Sequence, residues 1–287
     1  MRSAPVRLRT MQLKYFKMQG TGNQILVVDN RAGKCAPPSV EALRRLGDSA
    51  TGPGFDSLMW ITSASRDDAL ASYRVFNCDG GEVEQCGNGI RCVARALATD
   101  LPAGQSSMQL DSPAGPITAR LVAGEQVAVN MGKPEFRPER VPFIAEKLQS
   151  SYDLDVAGES FEVRVVSMGN PHCVLEVADV ASAELAKLGP LIEHHERFPA
   201  RTNVGFMHIV DRESIDLRVF ERGVGETAAC GTGSCAAMVV ARKQDQVDEE
   251  VTVKLPGGQV VVSWRHAADS VWLTGNAELI SEGTIDL

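Results

Sequence analysis

The sequence predicts an α+β protein of two similar halves with a cleft between them. Three observations predict it: one stretch occurs twice, β-type runs outnumber helical ones, and a helical run follows each copy of the repeat. Residues 74–89 read Arg-Val-Phe-Asn-Cys-Asp-Gly-Gly-Glu-Val-Glu-Gln-Cys-Gly-Asn-Gly, and residues 218–233 read Arg-Val-Phe-Glu-Arg-Gly-Val-Gly-Glu-Thr-Ala-Ala-Cys-Gly-Thr-Gly. Laid side by side without a gap, eight of the sixteen positions are identical. They include Cys86 and Cys230, which stand 144 residues apart in a chain of 287. An internal duplication explains this better than chance. Two related halves packed about a pseudo-twofold axis would bring the two cysteines to opposite sides of one cleft.

The elements follow in order. Residues 13–16, 25–29, 58–62 and 73–76 are β-branched or aromatic runs bounded by glycines, which predicts strands. Residues 40–46 predict a short helix, with Ser39 as N-cap and Gly47 as its stop. A helix is predicted over 90–97, then strands at 108–111, 117–122 and 127–131. Met131-Gly132-Lys133-Pro134 breaks the pattern and marks the boundary, giving halves of 1–131 and 132–275. The second half predicts strands at 161–166 and 173–177, a helix at 183–192, strands at 205–210 and 215–220, and a helix at 234–242. Residues 251–255 and 260–264, joined by Pro256-Gly257-Gly258, predict a hairpin that 271–274 extends. Residues from about 276 to 287 lack a partner in the second half and are expected to return to the first.

Composition narrows the function. Hydrophobic residues at 44% suffice for sizeable cores. A net charge of −8 and a pI near 5.2 argue against nucleic acid as a partner. No apolar run approaches the ~20 residues of a membrane helix. Residues 1–10 carry three arginines but lack the apolar core of a signal peptide, and read as a lead-in before Met11 or a tail. Seven cysteines, an odd number, argue for a reducing cytoplasm rather than a secreted disulfide framework.

Each Cys-Gly-x-Gly precedes a helix, where free N–H groups and the macrodipole favour an anion. Two anions suit such a place: a thiolate, whose pKa is lowered there, and the carboxylate of a ligand. Cys35, Cys92, Cys173 and Cys235 read as small buried hydrophobes, while Cys78 reads as core or as a third thiol near the site. The spacings Cys86/Cys92 and Cys230/Cys235 do not match paired zinc ligands, so no metal is expected.

The chain resembles the diaminopimelate epimerases over nearly its whole length after Met11. The resemblance is carried by Gly20-Thr21-Gly22-Asn23, Phe76-Asn77 with Asp79-Gly80, Cys86 through Cys92, Gly169-Asn170-Pro171-His172, Thr202-Asn203-Val204, Glu221 through Thr227, and Ala229 through Gly233. It implies two domains, each a β-structure wrapped around a central helix, and an epimerase that works without pyridoxal phosphate or any other cofactor. The implied substrate is a small amino acid, interconverted between LL- and meso-2,6-diaminopimelate for lysine and cell-wall synthesis, and the implied assembly is a homodimer. Cys86 and Cys230 would be the two acid/base thiols, with Gly87-Asn88 and Gly231-Thr232 holding the carboxylate at the reacting centre. Asn23, Asn77, Asn170, Asn203, Glu221 and Arg222 match the substrate-binding positions. Glu221 and His172 match residues that adjust the thiol pKa values, the carboxylate raising and an imidazolium lowering.

Two departures concern the substrate. The family usually has glutamine where this chain has Ser57, and Asp-Phe where it has Gln24-Ile25. Serine is shorter, so Ser57 would reach a substrate amine through water or not at all. A racemase or epimerase of another amino acid is one alternative, and a thiol redox or binding protein is another.

Overall fold

A computed structural model describes residues 12–33, 35–83 and 86–286; residues 1–10 lie outside them. In the first half, β1 (Gln12–Gly20) pairs antiparallel with β2 (Asn23–Asp29), and α1 (Val40–Gly47) crosses to β3 (Ser57–Thr62), parallel to β2. Next come β4 (Ala71–Asn77), the two-residue β5 (Glu82–Val83) and α2 (Gly87–Ala96), which crosses to β6 (Ser107–Ser112), parallel to β4. The strands β7 (Gly115–Leu121) and β8 (Gln126–Asn130) finish the meander.

The second half repeats this path. After β9 (Tyr152–Val156), β10 (Glu159–Ser167) pairs with β11 (Pro171–Glu176), and α3 (Leu185–Glu193) crosses to the parallel β12 (Asn203–Asp211). Then β13 (Ser214–Glu221), β14 (Gly225–Thr227) and α4 (Gly231–Lys243) lead to β15 (Glu250–Leu255), parallel to β13. The chain continues through β16 (Gly258–Ser263) and β17 (Trp272–Asn276). The strand β17 also pairs with β8 and stitches the halves together, and β18 (Glu278–Asp286) pairs antiparallel with β1.

Strand composition explains the layers. In β2 and β3 the runs Ile25–Val28 and Leu58–Ile61 are fully buried, as strands covered on both faces must be. Ile25, Val27, Met59 and Ile61 pack with Ile90, Val93 and Ala94 of α2, while Leu26, Val28, Leu58 and Trp60 pack with Leu43 and Leu46 of α1. The second half does the same. Val174 and Met207 face α4, and Cys173, Leu175, Val204 and Phe206 face α3. Residues Gly233–Ala241 of α4 are all buried, and a helix apolar all round belongs inside. Truncating Met238 to alanine there would cost about 2–5 kcal/mol.

Local chemistry sets the ends. Ser39 caps α1 by accepting from the Ala42 N–H at 3.2 Å, a contact worth roughly 1 kcal/mol. The expected stop at Gly47 comes one residue later, with Asp48 as C-cap. Both central helices begin earlier than expected, directly after their cysteines, so each Gly-x-Gly forms the first turn. The repeated Arg and Glu also find a reason. Arg74 grips Glu82 through two bonds of 2.6 Å, and Arg218 grips Glu226 at 2.7 and 3.0 Å, bracing β4 to β5 and β13 to β14 alike. Cys92, Cys173 and Cys235 are buried, whereas Cys78 is exposed and so is not core. Among the described residues no helix is long and apolar enough to cross a membrane.

Candidate active site

The two cysteines head the two central helices. Cys86 is the N-cap of α2 and Cys230 that of α4. The helix starts face one another: a Cβ built on Gly87 would lie 3.8 Å from the Gly231 Cα, and one built on Gly231 would lie 3.7 Å from the Gly87 Cα. The second glycine of each motif has a different task. A side chain on Gly89 would strike the Met59 sulfur at 2.3 Å, and one on Gly233 would meet Val219 Cγ2 at 2.9 Å, so glycine lets each first turn settle onto its sheet. Both first turns therefore meet at one place, and helix starts, with N–H groups that have no helical partner, favour an anion.

The thiols differ in their partners. Cys86 Sγ accepts from the Gly89 N–H at 3.3 Å. It keeps part of its surface open to solvent, yet the protein around it desolvates the sulfur. Burial thus pushes the Cys86 thiol up, helped by the Glu221 charge and opposed by the Gly89 N–H, Arg91 and the Ser57 hydroxyl. Cys230 donates its S–H to Glu221 Oε2 at 3.1 Å. Burial and then the Glu221 charge push the Cys230 thiol well up, against Thr232 and the Gly233 N–H. One sulfur accepts a hydrogen bond; the other donates one.

Register brings the remaining second-half residues together. His172 on β11 lies beside Asn203 on β12. His172 Nε2 is 3.1 Å from Asn170 Oδ1, Asn170 Nδ2 donates to Thr232 Oγ1 at 3.3 Å, and that hydroxyl lies 3.6 Å from Cys230 Sγ. The imidazolium expected at His172 is not formed at neutral pH. Burial, then the Arg222 charge, hold its pKa near about 3, so a neutral ring reaches Cys230 through Asn170 and Thr232. Asn203 is buried and engaged at both ends, giving to the Pro171 carbonyl at 2.9 Å and accepting from the Arg222 N–H at 3.0 Å. It shapes the turn that carries Arg222, whose exposed guanidinium donates to the Ala200 carbonyl at 3.0 Å.

On the first-half side, Ser57 and Asn77 are cross-strand neighbours, with the serine hydroxyl 3.4 Å from Asn77 Oδ1. Ser57 is buried and turned toward the Cys86 sulfur, not toward open space. Asn88 presents only backbone, because its side chain accepts from Arg91 at 2.9 Å. Asn23 opens β2 opposite Gly20, after a turn whose Gly22 packs against Gly257 of the other half.

Three residues join the site that sequence reading did not assign. Thr227 donates to Glu221 Oε1 at 2.6 Å and fixes the carboxylate on Cys230. Glu193, buried at the end of α3, accepts from the Gly223 N–H at 2.8 Å and anchors the Arg222 turn. Arg91 lies fully buried behind Cys86. Arg91 and Thr227 fall within the motifs, so a signal was present for both. A separate cavity of about 700 Å³, lined by Phe161, Arg164, Glu176, Phe206 and His208, contains none of these groups. Among the described residues no group of three or more His, Cys, Asp or Glu could hold a metal ion.

A duplicated, sheet-dominated fold with two cysteine-headed helices meeting at its seam defines a class, the fold shared by proline racemase-like and PhzF-like proteins. A probable proline racemase from Agrobacterium radiobacter K84 superposes with a TM-score of 0.69 at 16% identity, over 96% of this chain and 93% of that one. A PhzF-family phenazine biosynthesis protein from Bacillus anthracis superposes with a TM-score of 0.63 at 17% identity, over 96% and 99%. Within that fold the chain belongs to the diaminopimelate epimerase family, whose profile it matches over residues 15–137 and 164–280. It is 43% identical over 277 residues to the diaminopimelate epimerase of Pseudomonas savastanoi pv. phaseolicola, across 96% of this chain and all of that one. It is 44% identical over the same shares to that of Ectopseudomonas mendocina.

Proposed function

We propose that the protein interconverts LL- and meso-2,6-diaminopimelate with two thiols as its acid/base pair. The observation that carries this is the apposition of Gly87 and Gly231, which faces two cysteine-headed helix starts across a few ångströms. A Cys86 thiolate removes the α-proton from one face of the substrate and becomes a thiol. The Cys230 S–H gives its proton to the other face and becomes a thiolate. In the reverse direction the roles exchange. Charge that develops on the carboxylate between these steps meets the N–H groups of Gly87-Asn88 and Gly231-Thr232, which are already in position.

Arg222 takes the distal carboxylate, and Asn23, Asn77, Asn170, Asn203 and Glu221 hold the remaining groups. Glu221 also sets the proton affinity of Cys230. Ser57 serves the Cys86 side, where its shortness favours a second reading, a different amino acid as substrate. We take residues up to 131 together with 276–287 as one half and 132–275 as the other, a division supported by the β1–β18 pairing. The protein acts in the cytoplasm, supplying lysine and peptidoglycan precursors, as a homodimer. Support for the dimer is that, among the described residues, β18 pairs only with β1 and leaves Leu279 and Ile280 about half exposed.

The test is proton exchange at the α-carbon. Reduced protein is incubated with LL-diaminopimelate in deuterated water and followed by NMR. Loss of the α-proton signal together with appearance of the meso form is the expected result. Absence of both, in folded and reduced protein, overturns the reading; exchange with another amino acid instead selects the second one.

A further inference from the structure

Arg91 is a buried charge that the acid/base scheme does not use. It is fully inaccessible to solvent, and all its hydrogen bonds go to neutral oxygens. Nη2 donates to Thr21 Oγ1 at 2.8 Å and to Asn88 Oδ1 at 2.9 Å, Nε to the Asn276 carbonyl at 3.2 Å, and Nη1 to the Gly87 carbonyl at 3.4 Å. No aspartate or glutamate among the described residues pairs with it. The chain makes room for it twice, since a Cβ on Gly275 would lie 3.0 Å from its Cζ and one on Gly20 would lie 3.4 Å from its Nη2.

Such a charge is costly in two ways. A buried cation without a counter-ion loses its hydration, and a cation near a helix N-terminus opposes the macrodipole. Four hydrogen bonds offset part of the first cost and none of the second. An anion at the helix start removes both. The anions that belong there are the Cys86 thiolate and the substrate carboxylate.

We propose that Arg91 is a positioning residue whose fixed buried charge holds the Cys86 thiolate and the bound carboxylate at the paired helix starts. Its fork on Gly87 and Asn88 also fixes the donors, and its bonds to Thr21 and Asn276 tie α2 to the β1–β2 turn and to the end of β17. The proposal rests on the two-thiol reading of the site. The titratable groups facing Cys86 are Tyr73 on β4, Glu221 on β13, and Cys92 and Arg91 on α2; Arg91 also faces Cys235 on α4. Burial raises Tyr73, Cys92 and Cys235, which leaves them neutral. Beside burial and the Gly89 N–H, the charges that act on Cys86 are therefore the Glu221 carboxylate, which raises it, and the Arg91 guanidinium, which lowers it.

The test is the pH midpoint of Cys86 alkylation by iodoacetamide, separated from the other six thiols by peptide mass spectrometry. Arg91→Gln should raise the midpoint by about one unit, so that Cys86 reacts about tenfold more slowly at neutral pH. Arg91→Lys should restore most of the rate. Asn276 Oδ1 accepts from the N–H of Thr21 at 3.1 Å, the residue whose hydroxyl Arg91 holds; Asn276→Asp keeps that acceptor, adds a negative charge near the guanidinium, and should also raise the midpoint while the thermal melt holds. If Arg91→Gln lowers the melting temperature and leaves the midpoint unchanged, Arg91 is only a brace and the proposal is overturned. Should Arg91→Gln fail to fold, an unchanged midpoint in Asn276→Asp overturns it equally. The measurement uses no substrate, so loss of the epimerase reading and loss of this one are separate outcomes.

Discussion

Asn77 and Glu221 occupy equivalent places in the two halves, an amide where the repeat's other copy has a carboxylate. Leu58 pairs with Phe76 as Val204 pairs with Phe220, so Ser57 and Asn77 on one side correspond to Asn203 and Glu221 on the other. The substitution breaks the symmetry of the two thiols. Glu221 takes the Cys230 hydrogen at 3.1 Å, and no carboxylate stands at that place beside Cys86. A duplicated scaffold thus holds one sulfur as a hydrogen-bond acceptor and the other as a hydrogen-bond donor.

Replacing Glu221 by glutamine should remove the charge that raises Cys230. The Cys230 alkylation midpoint then moves to lower pH, and kcat/KM falls by about tenfold or more, since acid and base no longer differ. Rate against pH, measured in both directions, checks this; an unshifted Cys230 midpoint would count against the assignment.

Cys86→Ala and Cys230→Ala should each lower epimerisation by about 10²–10⁴-fold while the far-ultraviolet spectrum stays unchanged. In deuterated water each variant should still exchange the α-proton of one stereoisomer, and the two should prefer opposite isomers. Equal preference in both would remove the case for two opposed thiols.

His172 should make the protein acid-sensitive. Its pKa is depressed from 6.5 to about 3 in the folded state, so its contribution is fully present above about 6.5 and lost as pH falls toward 3. The slope is about 1.4 kcal/mol per pH unit, which amounts to about 2 kcal/mol between 6.5 and 5. Urea unfolding at pH 7 and pH 5 should show that loss in the wild type and less of it in His172→Gln.

The paired glycines of each motif should respond with opposite signs. Gly87→Ala meets only ordinary contacts, the nearest 3.7 Å from Met131 Cε, and gains up to about 1 kcal/mol of helix propensity. Its melting temperature should hold or rise while KM for the substrate rises, because the added methyl enters the anion site. Gly89→Ala drives a methyl into the buried Met59 and should lose about 1–3 kcal/mol. Calorimetry with steady-state kinetics separates the two.

The thiols, the helix starts and the central strands were legible because their signals are local: a rare repeated tetrapeptide and unbroken apolar runs. The shortest strands were not. Glu82–Val83 and Gly225–Thr227 are too brief to carry a period, and exist because Arg74 and Arg218 grip Glu82 and Glu226. Strand β18 shows a nearly continuous exposed face, so no alternation marks it. The charge state of His172 depends on how deeply β11 is covered, which its Gly-Asn-Pro-His motif does not encode. Arg91 carries a charge that on most helices would face water. Only the packed seam shows that it points inward.

The pairing of β18 with β1 has a consequence for synthesis on the ribosome. β1 is made long before β18, so one edge of β1 stays uncovered until β18 has left the ribosome. The second half can close while the first still waits for its final strand. A product that stops before β18 would keep both cysteines and leave that edge of β1 open.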